Sequence, residues 1–263
     1  MKNHFIPVNT IDKALAFAPS LSAQYRQTQR IKTKENYIET ADVLIDLSKN
    51  GWIVEGVCEN LNKKDRKVEM HYAKLYHPDL AMKNDKGHIE CVSNIYISNS
   101  CNGKNPMKFD FGMYRQVCSN GLMRFDGQSV GSISHSEKGA KQYQTIMGRI
   151  DELAMENVNK FDSLKNKELS PEQIRRFTND AFSIRFSKAD EERINQSQLT
   201  EIHRPEDQGN TLWSVFNRVQ ENLTKPSMLV DVDGKVIGGV NNIKQDFQIN
   251  QDLFRLVESY ALN

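Results

Sequence analysis

Two hydrophobic periods follow one another along the chain. Up to residue 137, apolar and polar residues alternate in several short segments, as they do in strands that bury one face. From residue 138 onward, apolar residues recur every three to four positions, which is typical of amphipathic helices. The pattern predicts an α+β protein with an antiparallel meander sheet packed by helices in residues 1–137, followed by a mostly helical unit in residues 138–263 that packs on it.

The sheet is predicted from three alternating segments that short polar turns connect. They cover residues 52–61, 68–77 and 88–100. A helix over residues 41–49 precedes them, with Thr40 as its N-cap and Gly51 as its stop. After the strands, the segment 111–125 predicts a helix or a helical turn that ends near Gly121.

The second unit is predicted to hold four helices. The first covers residues 140–165. The second begins after Ser170, the third at Asn210 or Thr211, and the last after Asn250. The third stops before Pro226 because proline cannot continue a helix. We expect the ring of Trp213 to be buried, since it flanks the apolar face of that third helix.

Composition excludes several classes of protein. A chain of 263 residues can bury a sizeable core. Residues 1–10 lack the apolar stretch of a secretory signal, and no uncharged run is long enough to cross a membrane. The four cysteines at 58, 91, 101 and 118 form no paired metal motif and no disulfide framework. We expect a reduced, cytoplasmic protein that does not bind a membrane.

Neither a cofactor nor a metal is predicted. The chain has no GxGxxG motif and no GxxxxGK[ST] motif, which are the loops that hold nucleotide phosphates. His71 and His77 share one face of a predicted strand, but six residues of strand separate them by about 20 Å. They cannot bind the same ion unless the strand breaks.

Charge is unevenly distributed along the chain. The net charge is +1, but residues 1–150 carry +6 and residues 151–210 carry −4. The basic half holds three basic clusters, the first and third of which include aromatic residues, and single-stranded nucleic acid binding requires both cations and aromatic faces. Their candidate contacts are Arg26, Arg30, Lys32 and Lys34, then Arg66 and Lys67, and finally Lys104, Lys108, Tyr114, Arg115 and Arg124.

A cysteine-dependent hydrolase is an alternative interpretation of the same half. Cys118, Asn120 and His135 are the residue types of a thiol hydrolase and lie within 20 residues. However, a cysteine at the C-terminal end of a helix faces the negative end of the helix dipole, which disfavours its thiolate. Burial of Cys118 as a small apolar side chain is therefore the simpler interpretation.

Three motifs resemble a known family. RQVCSNGLM follows NIYISNS and precedes His135, while NTLWSVFNRVQENL and INQDLFRLVESYA follow in the second unit. Together they resemble the phage-, plasmid- and prophage-encoded family classed as domain of unknown function 932, from about Tyr37 to the C-terminus. The resemblance implies a protein of a mobile element, and it implies no activity and no catalytic residue.

A second resemblance concerns the order of elements. VLIDLSKNGWIVEGV, two further strands and MYRQVCSNGLMRF resemble the core of the eukaryotic Rad-type single-strand annealing proteins and their phage relatives. This resemblance implies rings or filaments on single-stranded DNA, without nucleotide hydrolysis. The helix that crosses the sheet in that family is longer than the one predicted here.

The sequence therefore predicts a single-stranded DNA-binding protein of a mobile element that anneals single strands in recombination. We expect a homo-oligomer, a ring or a filament, that makes and breaks no bond. Two alternatives remain: a hydrolase that uses Cys118 and His135, and a module that binds a host or phage protein to counteract host defence.

Overall fold

The computed structural model describes residues 5–22, 37–61, 68–84, 86–115, 120–123, 131–226 and 228–262. The chain divides into two compact units. The described part of the first covers residues 5–121 and 131–158, and that of the second covers 159–262 with the short piece 122–123. The sequence predicted the change of unit at residue 138, whereas the compact units divide at residue 158, inside a helix.

The first unit is built on an antiparallel sheet. Its strands are β1 (Ile6–Pro7), β2 (Ile53–Leu61), β3 (Val68–Lys83), β4 (Ile89–Ser100), β5 (Met107–Arg115), β6 (Asn120–Met123) and β7 (Gly131–Ile133). Strands β1 to β6 lie side by side in chain order, and β7 pairs with the start of β5. This arrangement confirms the predicted antiparallel meander, because strands β1 to β6 each pair with the next strand along the chain.

One face of the sheet carries the core of the first unit. Ala73 and Leu75 of β3 lie opposite Ile97 and Ile95 of β4, and all four side chains are fully buried. Period-two alternation puts His71 and His77 on this same face, where both are buried. The core therefore holds polar side chains as well as apolar ones.

Helices cover the core face. They are α1 (Ile11–Phe17), α2 (Thr40–Lys49), α3 (Glu137–Met147) and α4 (Ile150–Ser163). Helix α2 buries Val43, Leu44 and Leu47, and it ends before Gly51, whose φ of +88° is a conformation that glycine adopts readily. Asp151 of α4 accepts a hydrogen bond from the indole nitrogen of Trp52 at 2.9 Å, which ties the helix to the start of β2.

The second unit consists of helices around one central helix. They are the end of α4, α5 (Pro171–Arg185), α6 (Leu212–Thr224) and α7 (Ile243–Leu262). Every residue from Leu212 to Leu223 is buried, so α6 is enclosed on all sides. Its polar side chains are paired within the unit: Gln220 donates to Asn250 of α7 at 2.7 Å, and Arg204 and Lys225 both contact Glu221.

Four predictions about secondary structure are wrong. The helix predicted over residues 140–165 is interrupted between α3 and α4, and Thr40 is the first residue of α2, whose N-cap is Glu39. Residues 111–115 and 120–123 lie in strands β5 and β6, whereas the sequence predicted a helix over 111–125. The core-facing residues of β5 are Met107, Phe109, Phe111 and Met113, which alternate as in a strand. The last helix begins at Ile243, and Asn250 is a buried residue inside it rather than its cap.

The predicted burial of Trp213 is confirmed, since its side chain is 3% exposed and its ring contacts Phe161. Within the described residues, no helix combines the length and the apolar character needed to cross a bilayer.

Candidate functional site

Two hairpins turn at the same end of the sheet. Leu61, the last residue of β2, pairs with Val68, the first of β3, and Met70 pairs with Ser100 at the end of β4. At the start of β5, Met107 pairs with Ile133 of β7. We call this edge, formed by Leu61, by the residues from Val68 to Met70 and from Ser98 to Lys108, and by Ile133, the hairpin end.

The described residues before and after the N-terminal segment 23–36 contact the sheet beside the hairpin end. Before the segment, the backbone N–H of Ser20 donates to the carboxylate of Glu59 on β2 at 2.9 Å. After it, the hydroxyl of Tyr37 donates to the carbonyl oxygen of Ser100 at 3.2 Å. The described residues on both flanks of segment 23–36 therefore contact strands at or beside the hairpin end.

The structure separates the candidate nucleic-acid contacts into two places. Lys104 and Lys108 are exposed at the hairpin end. The backbone of Arg115 pairs with Cys91 at the opposite end of β5, seven residues or about 23 Å from Lys108. Tyr114 precedes Arg115 there. The remaining candidates lie outside the described residues: Arg26, Arg30, Lys32, Lys34, Arg66, Lys67 and Arg124.

A chain of buried polar side chains lies just inside the hairpin end. His135 Nε2 is 3.0 Å from Asn99 Oδ1, and Asn99 Nδ2 is 3.1 Å from Thr40 Oγ1. Thr40 Oγ1 is 2.7 Å from His71 Nε2, and His71 Nδ1 is 3.5 Å from Cys101 Sγ. We call these five residues the polar relay. Strand pairing sets its centre, because His71 and Asn99 are direct partners in the β3–β4 register.

The donors and acceptors of the polar relay fix its direction. His135 Nδ1 accepts the backbone N–H of Ile38 at 3.2 Å, so its proton is on Nε2 and is donated to Asn99. The amide nitrogen of Asn99 donates to the hydroxyl oxygen of Thr40, and the hydroxyl of Thr40 lies within hydrogen-bond distance of His71 Nε2. When Thr40 donates to Nε2, His71 is protonated on Nδ1 and this N–H faces the sulfur of Cys101.

Burial keeps both histidines of the polar relay uncharged near neutral pH. Desolvation lowers the pKa of His71 to about 4, and the neighbouring His135 adds to the effect. Desolvation likewise lowers the pKa of His135 to about 4. Tyr37 stacks on the His135 ring at 4.7 Å between centroids, and burial raises the pKa of its phenol. The relay is thus a neutral network near pH 7.

A second perturbed group lies on β5. Asp110 is 9% exposed, and its backbone pairs with Tyr96 of β4. Burial raises the pKa of its carboxyl to about 7, and the nearby Lys108 opposes that shift. Asp110 therefore changes charge near neutral pH. It lies two residues along β5 from Lys108, an exposed lysine of the hairpin end.

The structure gives the cysteine–histidine pair that sequence reasoning missed. Cys118 lies outside the described residues, and Asn120 lies in β6. Both ring nitrogens of His135 are occupied by Ile38 and Asn99, so its role within the described chain is to hold the relay. The paired thiol is Cys101, whose partner His71 is 30 positions away in the sequence. Only strand register brings them together, and no local motif signals it.

Within the described part of the chain, no group of three or more histidine, cysteine and acidic side chains is placed to hold a metal ion. What the polar relay offers chemically is an N–H donor directed at a half-buried thiol.

Comparison with known proteins places this architecture in a family. The family model described as Domain of unknown function (DUF932) matches residues 30–253. The chain is 27% identical to UPF0380 protein YfjQ and 25% identical to UPF0380 protein YafZ, both of Escherichia coli (strain K12). Each alignment covers 95% of this chain and 90% of the relative. No solved structure matches the chain significantly. The chain belongs to the family described as domain of unknown function DUF932.

Proposed function

We propose that this protein binds single-stranded DNA at the hairpin end and anneals complementary strands, as a homo-oligomer in the cytoplasm. One observation carries the proposal: three basic segments are attached to one end of one sheet. Residues 23–36 and 62–67 each carry a net charge of +3, and residues 100–108 carry +2, in a protein whose net charge is +1. Such a concentration of cations favours a polyanion.

The attachment points support the proposal because they bring together segments that are distant in sequence. Residues 62–67 connect Leu61 to Val68, which pair directly at the hairpin end. Lys104 lies in the next turn of the meander, and Tyr37 returns the N-terminal segment to Ser100 beside it. Arg115 lies at the other end of β5 and is not part of the proposed surface.

Annealing follows from the kind of contact that lysine and arginine make. Cations that neutralise phosphates hold a single strand without reading its bases, and the base edges stay available for pairing. The resemblance to the Rad-type annealing proteins gives no support, because residues 113–115 lie in β5 and 120–123 in β6, where that resemblance implied a helix.

The test compares two charge-matched variants. The hairpin variant changes four basic residues between β2 and β3 to Gln: Lys63, Lys64, Arg66 and Lys67. The control changes four exposed basic residues of the second unit to Gln: Arg175, Arg176, Lys188 and Lys235. Fluorescence anisotropy measures binding of a labelled oligothymidine of about 30 nucleotides, between about 50 and 300 mM salt. Loss of four phosphate contacts lowers the slope of log affinity against log salt by about three units.

We expect that decrease in the hairpin variant and a slope within about one unit of the parent in the control. Equal affinity and slope in the parent and the hairpin variant would overturn the proposal, as would absence of binding by the parent at about 50 mM salt. Annealing is measured with two complementary labelled strands: the parent should accelerate their pairing, and the hairpin variant should not.

A further inference from the structure

We propose that Cys101 is a thiol-modification site that forms a mixed disulfide with small disulfides, its thiolate being held by the Nδ1–H of His71. The inference is independent of DNA binding. It rests on the position of the thiol, the fixed direction of the hydrogen bond that it receives, and its contrast with the other described cysteines.

Cys101 has the position that a modifiable thiol requires. It follows the last residue of β4, in the turn that leads to β5, and its side chain is half-buried. The sulfur faces His71 Nδ1 at 3.5 Å, and the residue as a whole is partly exposed. Cys91 is fully buried and Cys58 is 4% exposed, so neither offers a reagent comparable access.

The polar relay makes His71 a donor to the sulfur and not its base. Asn99 Nδ2 can only donate, so His71 Nε2 is the acceptor that the described residues offer to the hydroxyl of Thr40. Moving the proton of His71 from Nδ1 to Nε2 would take that acceptor away in a fully buried site, which disfavours the other tautomer. An N–H donor directed at sulfur stabilises the anion over the thiol.

The described environment of Cys58 has the opposite effect on its sulfur. The Cys58 thiol donates to the carbonyl oxygen of Glu59, a contact that needs the proton. Burial raises the pKa of Cys58, and the charge of Glu59 raises it further. Cys58 is therefore held as a thiol, whereas Cys101 receives a donor. This difference in chemistry, added to the difference in access, makes Cys101 the expected target among the described cysteines.

The reaction is a thiol–disulfide exchange. Cys101 loses its proton to solvent, and its thiolate attacks one sulfur of the reagent disulfide. A new S–S bond forms between Cys101 and that sulfur as the S–S bond of the reagent breaks. The leaving thiolate takes the electron pair of the broken bond and is protonated by solvent. Cys101 is oxidised, half of the reagent is reduced, and His71 keeps its proton throughout.

The test measures modification by dithiodipyridine, which releases an absorbing thiopyridone at each exchange. Mass spectrometry of the parent protein first identifies the order in which its cysteines react. We expect Cys101 to react first, and at least about tenfold faster than Cys58 and Cys91. The fast phase should be lost in Cys101→Ser and kept in Cys118→Ser. A fast phase that survives in Cys101→Ser overturns the proposal.

Two substitutions of His71 separate its donor from its bulk. The side-chain nitrogen of Asn overlays Nδ1 of histidine and that of Gln overlays Nε2, so His71→Asn keeps a donor towards Cys101 and His71→Gln does not. We expect His71→Gln to slow the exchange about tenfold and His71→Asn to stay within about threefold of the parent. Equal rates in the two folded variants would overturn the role of His71. The order of labelling in the parent tests the site even if neither variant folds.

Discussion

The hydroxyl of Thr40, in the first turn of α2, lies 2.7 Å from Nε2 of His71 on β3, and both side chains are fully buried. This contact joins the helix layer to the sheet at the hairpin end.

Thr40→Val removes the hydroxyl and keeps the shape of the side chain. His71 loses a donor and Asn99 loses an acceptor in a site without access to water, so we expect the free energy of unfolding to fall by about 1–3 kcal/mol. Urea denaturation measures it. The exposed Thr145→Val on α3 is the control, with a change below about 0.5 kcal/mol. Equal changes in the two variants would show that the relay does not stabilise the fold.

The two relay histidines predict a loss of stability in mild acid. Their pKa values of about 4 in the folded protein lie below the usual 6.5, so the unfolded chain binds more protons between these limits. The free energy of unfolding is therefore highest above pH 6.5 and falls as the pH drops towards 4, by on the order of 1–2 kcal/mol per histidine from pH 7 to pH 5. Urea denaturation at several pH values should give a weaker dependence in His71→Gln. Parallel curves for parent and variant would contradict this.

Asp110 predicts the opposite dependence. Its pKa of about 7 lies above the usual 3.8, so the folded protein holds a proton that the unfolded chain has lost. The contribution of this group to stability is present at low pH and is lost as the pH rises through 7. Asp110→Asn removes the titration, and we expect it to gain on the order of 2 kcal/mol over the parent between pH 5 and pH 8. A constant difference between the two proteins would refute the assigned shift.

The two ends of β5 predict different effects on DNA binding. Lys104→Gln, at the hairpin end, should lower the slope of log affinity against log salt by about one unit, as expected for one lost phosphate contact. Arg115→Gln, whose backbone lies at the opposite end, should leave the slope unchanged. Anisotropy titrations in several salt concentrations distinguish them. If Arg115→Gln alone lowered the slope, DNA would bind at the end of the sheet opposite the hairpin end, and our proposal would be wrong.

Trp213→Ala tests the core of the second unit. The indole packs edge-on against Phe161 at 6.1 Å between centroids and is almost fully buried. We expect the free energy of unfolding to fall by about 3–5 kcal/mol, as for other large-to-small changes in a core. Val232→Ala, at a side chain 70% exposed, is the control and should leave the melting temperature nearly unchanged. An unaltered melting temperature in Trp213→Ala would mean that the ring does not stabilise this unit.

Local patterns were enough to predict much of the sheet. The alternation over residues 52–61, 68–77 and 88–100 corresponds to β2, to the first part of β3 and to β4. The helix predicted over 111–125 failed because only Phe111 and Met113 of the core-facing residues of β5 fall inside that window. Two positions cannot distinguish a period of two from a helical period when the flanking residues are polar or glycine.

The polar relay could not be predicted from the sequence. Its residues come from α2, β3, β4 and the turns that follow β4 and β7. Its contacts join residues that are far apart in the sequence, so no short sequence motif contains both partners. The sequence suggests only His77, on the same strand, as a partner of His71. Its actual partners, Thr40 and Cys101, are set by strand register and by the packing of α2, which local patterns do not contain.

The enclosed helix α6 has a consequence for how the chain folds during synthesis. Gln220 in its middle relies on Asn250, near the middle of α7, for its hydrogen bond. Until α7 has left the ribosome, the amide of Gln220 lacks that partner, and the apolar surface that Leu253, Phe254 and Val257 bury in the finished unit has not been supplied. The second unit therefore cannot reach its native state while the chain is being elongated through α6. We therefore expect folding of the second unit to pull on the nascent chain late in translation, after α7 emerges from the ribosome.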